Sequence, residues 1–279
     1  MKKLSLFFVL LLSMVLVLAA CGSNDNANNG GGNKGDTNKE ETANKDDLLA
    51  KVKDEGKLVV GTEGTYAPFS FHNDKGELTG FDVEIAREVG KRLGVDVEFQ
   101  ETNWDAIFAG LDAKRFDMIA NQVGIRPDRQ EKYLFSEPYI TSAAVLITRT
   151  DNKDIQSFED IKGKKSAQTL TSNYGQLAKD LGAEVVGIDS FNQAVELLNS
   201  KRVDATINDK IAFLDFKKNR PDAQVEVRAE SEDASQSGLM FRKGSETLVE
   251  EVNKALNEMI EDGTYDEISK KWFGENVLK

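Results

Sequence analysis

Apolar residues in this chain recur at two spacings, and the spacings alternate along it. "KLVVGT" (57–62) is a short β-rich run; Phe81, Ile85, Val89 and Leu93 then follow helical spacing and stop at Gly94; "VDVEF" (95–99) is a run again. Trp104, Ile107, Phe108 and Leu111 sit at i, i+3, i+4 and i+7, and "FDMIA" (116–120) is a third run. Runs of this length read as buried strands, and stripes of this spacing as helices laid against them. A β-α-β-α-β order leaves few options: the strands join one α/β sheet and the helices cross over its faces.

The pattern then starts again. "KKSAQT" (164–169), the face Tyr174, Leu177, Ala178 and Leu181, "EVVGI" (184–188), the face Phe191, Ala194, Val195 and Leu198, and "VDATI" (203–207) repeat the order. The two units also echo each other: "LDAKRFDMIANQ" (111–122) and "LNSKRVDATIND" (198–209) share Leu, Lys, Arg, Asp and Asn at the same offsets. Chance is an open alternative, because Lys-Arg at a helix end ahead of a strand is common. The positional content is that Asn121-Gln122 and Asn208-Asp209 stand just past the carboxyl ends of strands, where open α/β sheets hold their ligands. "SGLMFRK" (237–243), the stripe Leu248, Val252, Leu256, Met259 and Ile260 up to Gly263, and a last helix with Ile268 and Trp272 are surplus to the second unit. They are expected to cross back to the first. The expected architecture is two Rossmann-like α/β lobes joined by a two-strand hinge, with crossings near 144–149 and 231–237 and a ligand in the interlobe cleft. Lobe 1 is expected over 48–145 and 235–279, and lobe 2 over 146–234.

The first 21 residues, "MKKLSLFFVLLLSMVLVLAAC", carry Lys2 and Lys3, an uncharged apolar run, and two alanines before the sole cysteine. That is the charged, apolar and small-residue layout of a secretory signal. A membrane anchor is the alternative, since a run of about 17 residues reaches the lower limit for spanning. "LAAC" (18–21) resembles the lipobox of bacterial lipoproteins, in which the cysteine is diacylated and the chain is cut before it. The resemblance implies a signal peptide over 1–20, a lipid-bearing Cys21, an extracytoplasmic location, and contact with the membrane through the lipid anchor only. Disulfides, thiolate metal sites and cysteine nucleophiles are then excluded from the folded part. Residues 22–47 contain no apolar side chain larger than alanine, so the span 21–47 reads as a disordered tether. Without Lys2 and Lys3 the formal net charge goes from −12 to −14, a poor balance for nucleic acid, which needs clustered Lys and Arg. Roughly 230 residues remain for the folded part, expected to be a monomer.

The strand ends supply the polar groups. Glu63 and Tyr66 follow the first strand, Trp104 opens the second helix, Asn121 and Gln122 follow the third strand, and Arg129 comes seven residues later. The second lobe adds Thr171 and Ser172 at a helix start, and Asp209. A free amino acid carries two charges, each needing an opposite partner when it leaves water. Arginine meets a carboxylate with two parallel hydrogen bonds, which lysine cannot do. Helix-start N–H groups near Ser172 add donors for an anion. Asp209 suits an ammonium group, and Tyr66 and Trp104 can wall the apolar part. The bland alternatives are core or rim aromatics, a structural ion pair for Arg129, and loop hydrogen bonding for Glu63. His72, the sole histidine, falls in a turn.

"GTEGTYAPFSFHNDKGELTGFDVEIA" (61–86), "GIRPDRQEKYLFSEPY" (124–139) and "GTYDEISKKWFG" (263–274) resemble the solute-binding protein family of polar amino-acid ABC importers, with a match over 55–275. The resemblance implies a type II periplasmic-binding fold, no cofactor, no metal, and an importer's transmembrane permease as partner. It places Tyr66 over the ligand, Arg129 on the α-carboxylate and Asp209 on the α-ammonium. Where many members carry serine or threonine after the third strand, this chain has Asn121, Gln122 and Gly124, and Glu63 stands where an aspartate is frequent. "NWDAIFAGLDAKRFDMIANQVGI" (103–125) is most similar to the cystine-binding branch. With the α-amino acid head matched, Glu63 is a further acid for a distal cation. The expected order is L-cystine above arginine above glutamine, with Asn121 and Gln122 as amide donors to a far carboxylate; arginine, lysine or glutamine is the alternative ligand.

Two other classes compete. A two-lobed enzyme such as a dehydratase needs a group poised near neutral pH in the cleft, and the chain carries no GxSxG, HExxH or phosphate-binding loop. A receptor input module is expected to continue into a signalling segment, whereas this sequence closes on "GENVLK".

Overall fold

The structure, a computed structural model, describes residues Asp47 to Leu278. The expected signal peptide, Cys21 and all but the last residue of the expected tether lie outside the described residues.

A short helix α1 (Leu48–Glu55) leads into β1 (Lys57–Thr62), followed by the small antiparallel sheet β2 (Thr65–Tyr66), β3 (Ser70–His72) and β4 (Leu78–Thr79). Next come α2 (Phe81–Leu93), β5 (Asp96–Glu101), α3 (Trp104–Asp112), β6 (Met118–Ile119), the single turn α4 (Pro127–Gln130) and β7 (Tyr133–Phe135). The second unit runs through β8 (Ile140–Arg149), β9 (Lys165–Gln168), α5 (Asn173–Asp180), β10 (Glu184–Gly187), α6 (Phe191–Asn199), β11 (Ala205–Asp209), α7 (Lys210–Asn219) and β12 (Val225–Ser237). The chain then returns with β13 (Met240–Arg242), α8 (Glu246–Glu261) and α9 (Thr264–Phe273).

Two five-stranded sheets result, ordered β5-β1-β6-β13-β7 and β10-β9-β11-β8-β12. The crossover helices cover both faces of the first. On one face Phe81, Ile85, Val89 and Leu93 of α2 meet Leu248, Val252, Leu256 and Met259 of α8; on the other, Trp104, Ile107 and Leu111 of α3 pack with Phe116 and Met240. The return of β13 and α8 therefore completes the first lobe's core. In the second lobe, α6 and α7 cover one face through Val195, Leu198, Phe213 and Phe216, and Ala178 of α5 packs on the other. Burial on both faces is why these strands read as continuous apolar runs.

Four features differ from the periodicity. The helices α1 and α7 carry too few regularly spaced buried positions to stand out. Ile260, placed in the α8 stripe, is 42% exposed at its edge. Asn208 and Asp209 belong to β11 itself, because the antiparallel strand β8 pairs with them (Asn208 with Val145, Asp209 with Ala144) and prolongs the strand. The segment joining the lobes on the β8 side lies earlier than 144–149: Ile140–Ala143 pairs with Ala234–Ser237, and a register shift between Glu230 and Ala234 separates this ribbon from the body of the second sheet. Within the run from 140 to 149 Ser142, Ala143 and Ala144 interrupt the β-branched residues near this junction, and the strand continues through them.

The sequence echo is structural. Lys114 and Lys201 both take a left-handed conformation at φ 58° after their helices. Arg115 N–H bonds Gly110 O at 3.0 Å and Arg202 N–H bonds Leu197 O at 2.9 Å. Asp117 N–H and Asp204 N–H each donate to the adjacent strand at 2.8 Å, and each carboxylate accepts from that strand in return, from Val59 N–H at 3.0 Å and Lys165 N–H at 2.9 Å.

Candidate functional site

Glu63 and Asn121 leave adjacent parallel strands, β1 and β6, and so arrive side by side. The Asn121 side chain uses both ends on that neighbour: its Oδ1 accepts from Glu63 N–H at 2.8 Å and Thr62 Oγ1 at 3.1 Å, and its Nδ2 donates to Glu63 Oε2 at 2.6 Å. The backbone N–H of Trp104, at the start of α3, also favours the ionised Glu63 carboxyl. Burial outweighs these bonds and pushes the Glu63 carboxyl up to about 7, and no cation lies within ion-pair distance among the described residues.

Gln122 is turned into the left-handed region at φ 52°. Its backbone N–H and its Nε2 both donate to the buried Asp82 carboxyl, at 2.9 and 2.6 Å, and Tyr139 OH donates to the same group at 2.9 Å. Burial pushes Asp82 up to about 7 as well. One N–H of the Asn121 amide is therefore engaged by Glu63, and the Gln122 amide by Asp82 and, at 3.4 Å, Tyr139 OH, so a far carboxylate would share these donors with the protein's own acids.

Arg129 is the opposite case. It is 6% exposed, and its Nη1 donates to Gly124 O at 3.1 Å. Its guanidinium lies over Trp104 and Phe108, 5.5 and 5.3 Å from their ring centres. Among the described residues no carboxylate approaches within ion-pair distance. Burial, followed by the nearby Arg126, brings it down to about 10, which leaves it charged at neutral pH. The indole N–H of Trp104 is buried without a partner. The pair α3 and α4 therefore presents a cation and a donor whose needs the protein does not meet.

From the second lobe, Ser172 caps α5: its Oγ accepts from Gly175 N–H at 2.9 Å and donates to Thr169 O at 3.0 Å. Asp209 caps α7 through Ile211 N–H at 2.7 Å and Ala212 N–H at 3.3 Å, while Tyr174 OH donates to its other oxygen at 3.3 Å. Burial raises its carboxyl too. Thr171 reaches the first lobe, where its N–H and hydroxyl bond the Asp105 carboxylate at 3.0 and 2.7 Å. Tyr66 OH donates across to Asn208 Oδ1 at 2.9 Å. The lobes meet directly, and one space between them, at the strand ends, has a volume of about 60 Å³.

Glu63, Tyr66, Trp104, Gln122 and Ser172 line that space; Asn121, Gly124, Arg129, Thr171 and Asp209 are not part of its lining. The periodicity had placed Tyr174 and Phe191 in helix faces, yet both turn to the cavity, as do Gln168, Thr169 and Asn208. Asn208 had a signal, since it is the echo of Asn121. Gln168 and Thr169 had the strand-end signal, whereas Tyr174 and Phe191 had none, because a helix's first turn borders both the core and the sheet's carboxyl edge. A liquid water occupies about 30 Å³, so this space holds a few waters, and a larger guest enters only if the lobes part.

Residues 58–275 match the model of the bacterial extracellular solute-binding proteins, family 3, and the chain belongs to that family. It is 49% identical over 280 residues to the "L-cystine-binding protein TcyA" of Bacillus subtilis (strain 168), covering 100% of each. Among solved structures it is similar to an ancestral arginine-binding protein bound to arginine (TM-score 0.75, 39% identity, 78% of this chain and 99% of that one). It is also similar to the L-cystine solute receptor of Neisseria gonorrhoeae in the unliganded open conformation (TM-score 0.55, 46% identity, 83% and 99%). The shape follows the arginine-bound chain more closely although the open chain is nearer in sequence, in keeping with lobes that touch.

Proposed function

We propose that this chain is a lipid-anchored, extracytoplasmic binding protein that captures a polar amino acid, L-cystine first among them, and hands it to the permease of an ABC importer. The observation that carries the reading is Arg129: a buried guanidinium, lying over two rings and with no carboxylate in ion-pair distance among the described residues, directly behind Trp104, which lines the space between the two lobes. An unpaired buried charge is expensive to maintain for stability alone, and a ligand's α-carboxylate is its natural complement. Asp209 and Tyr174 supply the acidic side for the α-ammonium. Glu63, an acid without a cation, is left for the second ammonium of cystine. The cystine-binding relative named above supports the same ligand.

Arginine is the second reading, because the same Glu63 carboxyl would accept a guanidinium. Calorimetric titration separates them: cystine is expected to bind above arginine and arginine above glutamine, and Glu63→Gln to weaken cystine much more than glutamine. Tight glutamine binding that ignores Glu63 would leave only a general polar amino-acid binder. The anchor rests on "LAAC" before the tether. Cells expressing a Cys21→Ala form should show no acyl label on the protein and release it from the membrane fraction.

A further inference from the structure

Asp105 is the second residue of α3, next to the cavity wall residue Trp104, and its side chain points away from the cavity to the other lobe. There it accepts from Leu170 N–H at 3.3 Å, Thr171 N–H at 3.0 Å and Thr171 Oγ1 at 2.7 Å. The receiving turn is pinned from its own side as well, since Lys179 Nζ donates to Leu170 O at 3.0 Å. Two neighbours of the turn, Thr169 and Ser172, line the cavity, and Ser172 starts α5. One carboxylate thus gathers successive backbone donors just ahead of a helix start, an arrangement that favours an anion.

From this geometry we infer that Asp105 and the Leu170–Thr171 turn form a latch that holds the cleft shut by protein-to-protein contact and sets Thr169 and Ser172 over the bound molecule. Asp105 is then a positioning residue, acting through the turn and touching no ligand. Hydrogen bonds to an ionised acceptor are stronger than neutral ones, but Asp105 and Thr171 are both exposed at the rim, so water competes. The bias is therefore modest. It shifts a population between open and closed forms, and it does so before any ligand arrives. The latch deepens the amino-acid-binding reading without depending on which amino acid binds.

The test uses the full chain with distance probes at Asp74 and Glu196, exposed positions on opposite lobes. In unliganded protein Asp105→Ala should move the distribution to longer distances, Thr171→Val should move it less, and the double variant should match Asp105→Ala alone. With labelled cystine as the probe, Asp105→Ala should raise the dissociation rate about five- to tenfold without slowing association, since the guest enters through the open form, the signature of a lost closing contact. Unchanged distances in both single variants, or additive effects in the double, would overturn the latch; additivity would assign Asp105 to helix α3 alone. If Asp105→Ala does not fold, Thr171→Val by itself decides, because it removes one hydroxyl at an exposed site. Failure of cystine to bind the unaltered protein would sink the ligand assignment while the unliganded distances still judge the latch.

Discussion

At the scale of single residues, two charges define the cleft. Arg129 is buried and Glu63 half-buried, neither has an opposite partner among the described residues, and both are placed by neighbours that fix their geometry: Gly124 O, Trp104 and Phe108 for the first, Asn121 for the second. A titration series should show what that placement is for. Arg129→Lys keeps the charge but loses the fork, and mismatching one partner of a buried charged pair costs about 2–5 kcal/mol, or roughly thirtyfold to a few thousandfold in Kd. The melting curve of the unliganded protein should move little, since no internal ion pair is broken. Near-normal binding by the lysine variant would return Arg129 to a purely structural role.

At the scale of elements, the repeated strand-helix-strand unit explains why one sequence motif appears twice. After α3 and after α6 a left-handed lysine turns the chain, and an aspartate ties the new strand to its neighbour. The two copies differ in burial: Asp117 is 1% exposed and also receives Lys51 Nζ at 3.1 Å, whereas the Asp204 bond lies at the surface. Removing Asp117 leaves the buried Val59 N–H unsatisfied, a penalty of about 1–3 kcal/mol, while water can replace Asp204. Denaturant unfolding should therefore show Asp117→Ala losing about 1–3 kcal/mol and Asp204→Ala less than about 1 kcal/mol. Equal losses would mean that the shared fold, and not burial, sets the cost.

At the scale of the whole molecule, the cleft side of the first lobe holds two carboxyls, Glu63 and Asp82, each pushed up to about 7 from ordinary values of 4.5 and 3.8. Both bind a proton more tightly in the folded protein than in the unfolded chain. The stability they contribute is full below the ordinary values and is lost as pH rises through about 7. Asp262 has the reverse sign: hydrogen bonds from Thr264 hold it down to about 2, so its contribution disappears only in acid and leaves this window untouched. Chemical denaturation of the unliganded protein should accordingly show stability falling from about pH 4 to about pH 7 and levelling off above that, by up to roughly 1.4 kcal/mol per pH unit for each group. Glu63→Gln should flatten its share of the slope. A ligand bringing a cation to Glu63 should release a proton on binding near pH 6, visible as a buffer-dependent heat.

The sequence by itself determined the sheet strands and crossover helices of the two repeated units and their order, though not α1 or α7, because burial on both faces of a sheet forces apolar runs and crossover helices force stripes at 3.6 spacing. It also determined which residues reach the carboxyl edges of the strands, since Glu63, Trp104, Asn121 and Gln122 follow strand ends or open a helix wherever the lobes sit. What these side chains do there was decided only by the tertiary structure. Asn121 and Gln122 are expected from the sequence to be donors for a ligand, and only the structure shows Glu63 and Asp82 sharing those donors. Asp209 looked free until it proved to cap α7 and to end a strand lengthened by β8. Thr171 looked like a cavity residue until it was found bonded to Asp105 across the cleft. Each of these outcomes is a competition between partners distant in the chain, and a spacing read along one strand or helix carries no record of what stands opposite it in space.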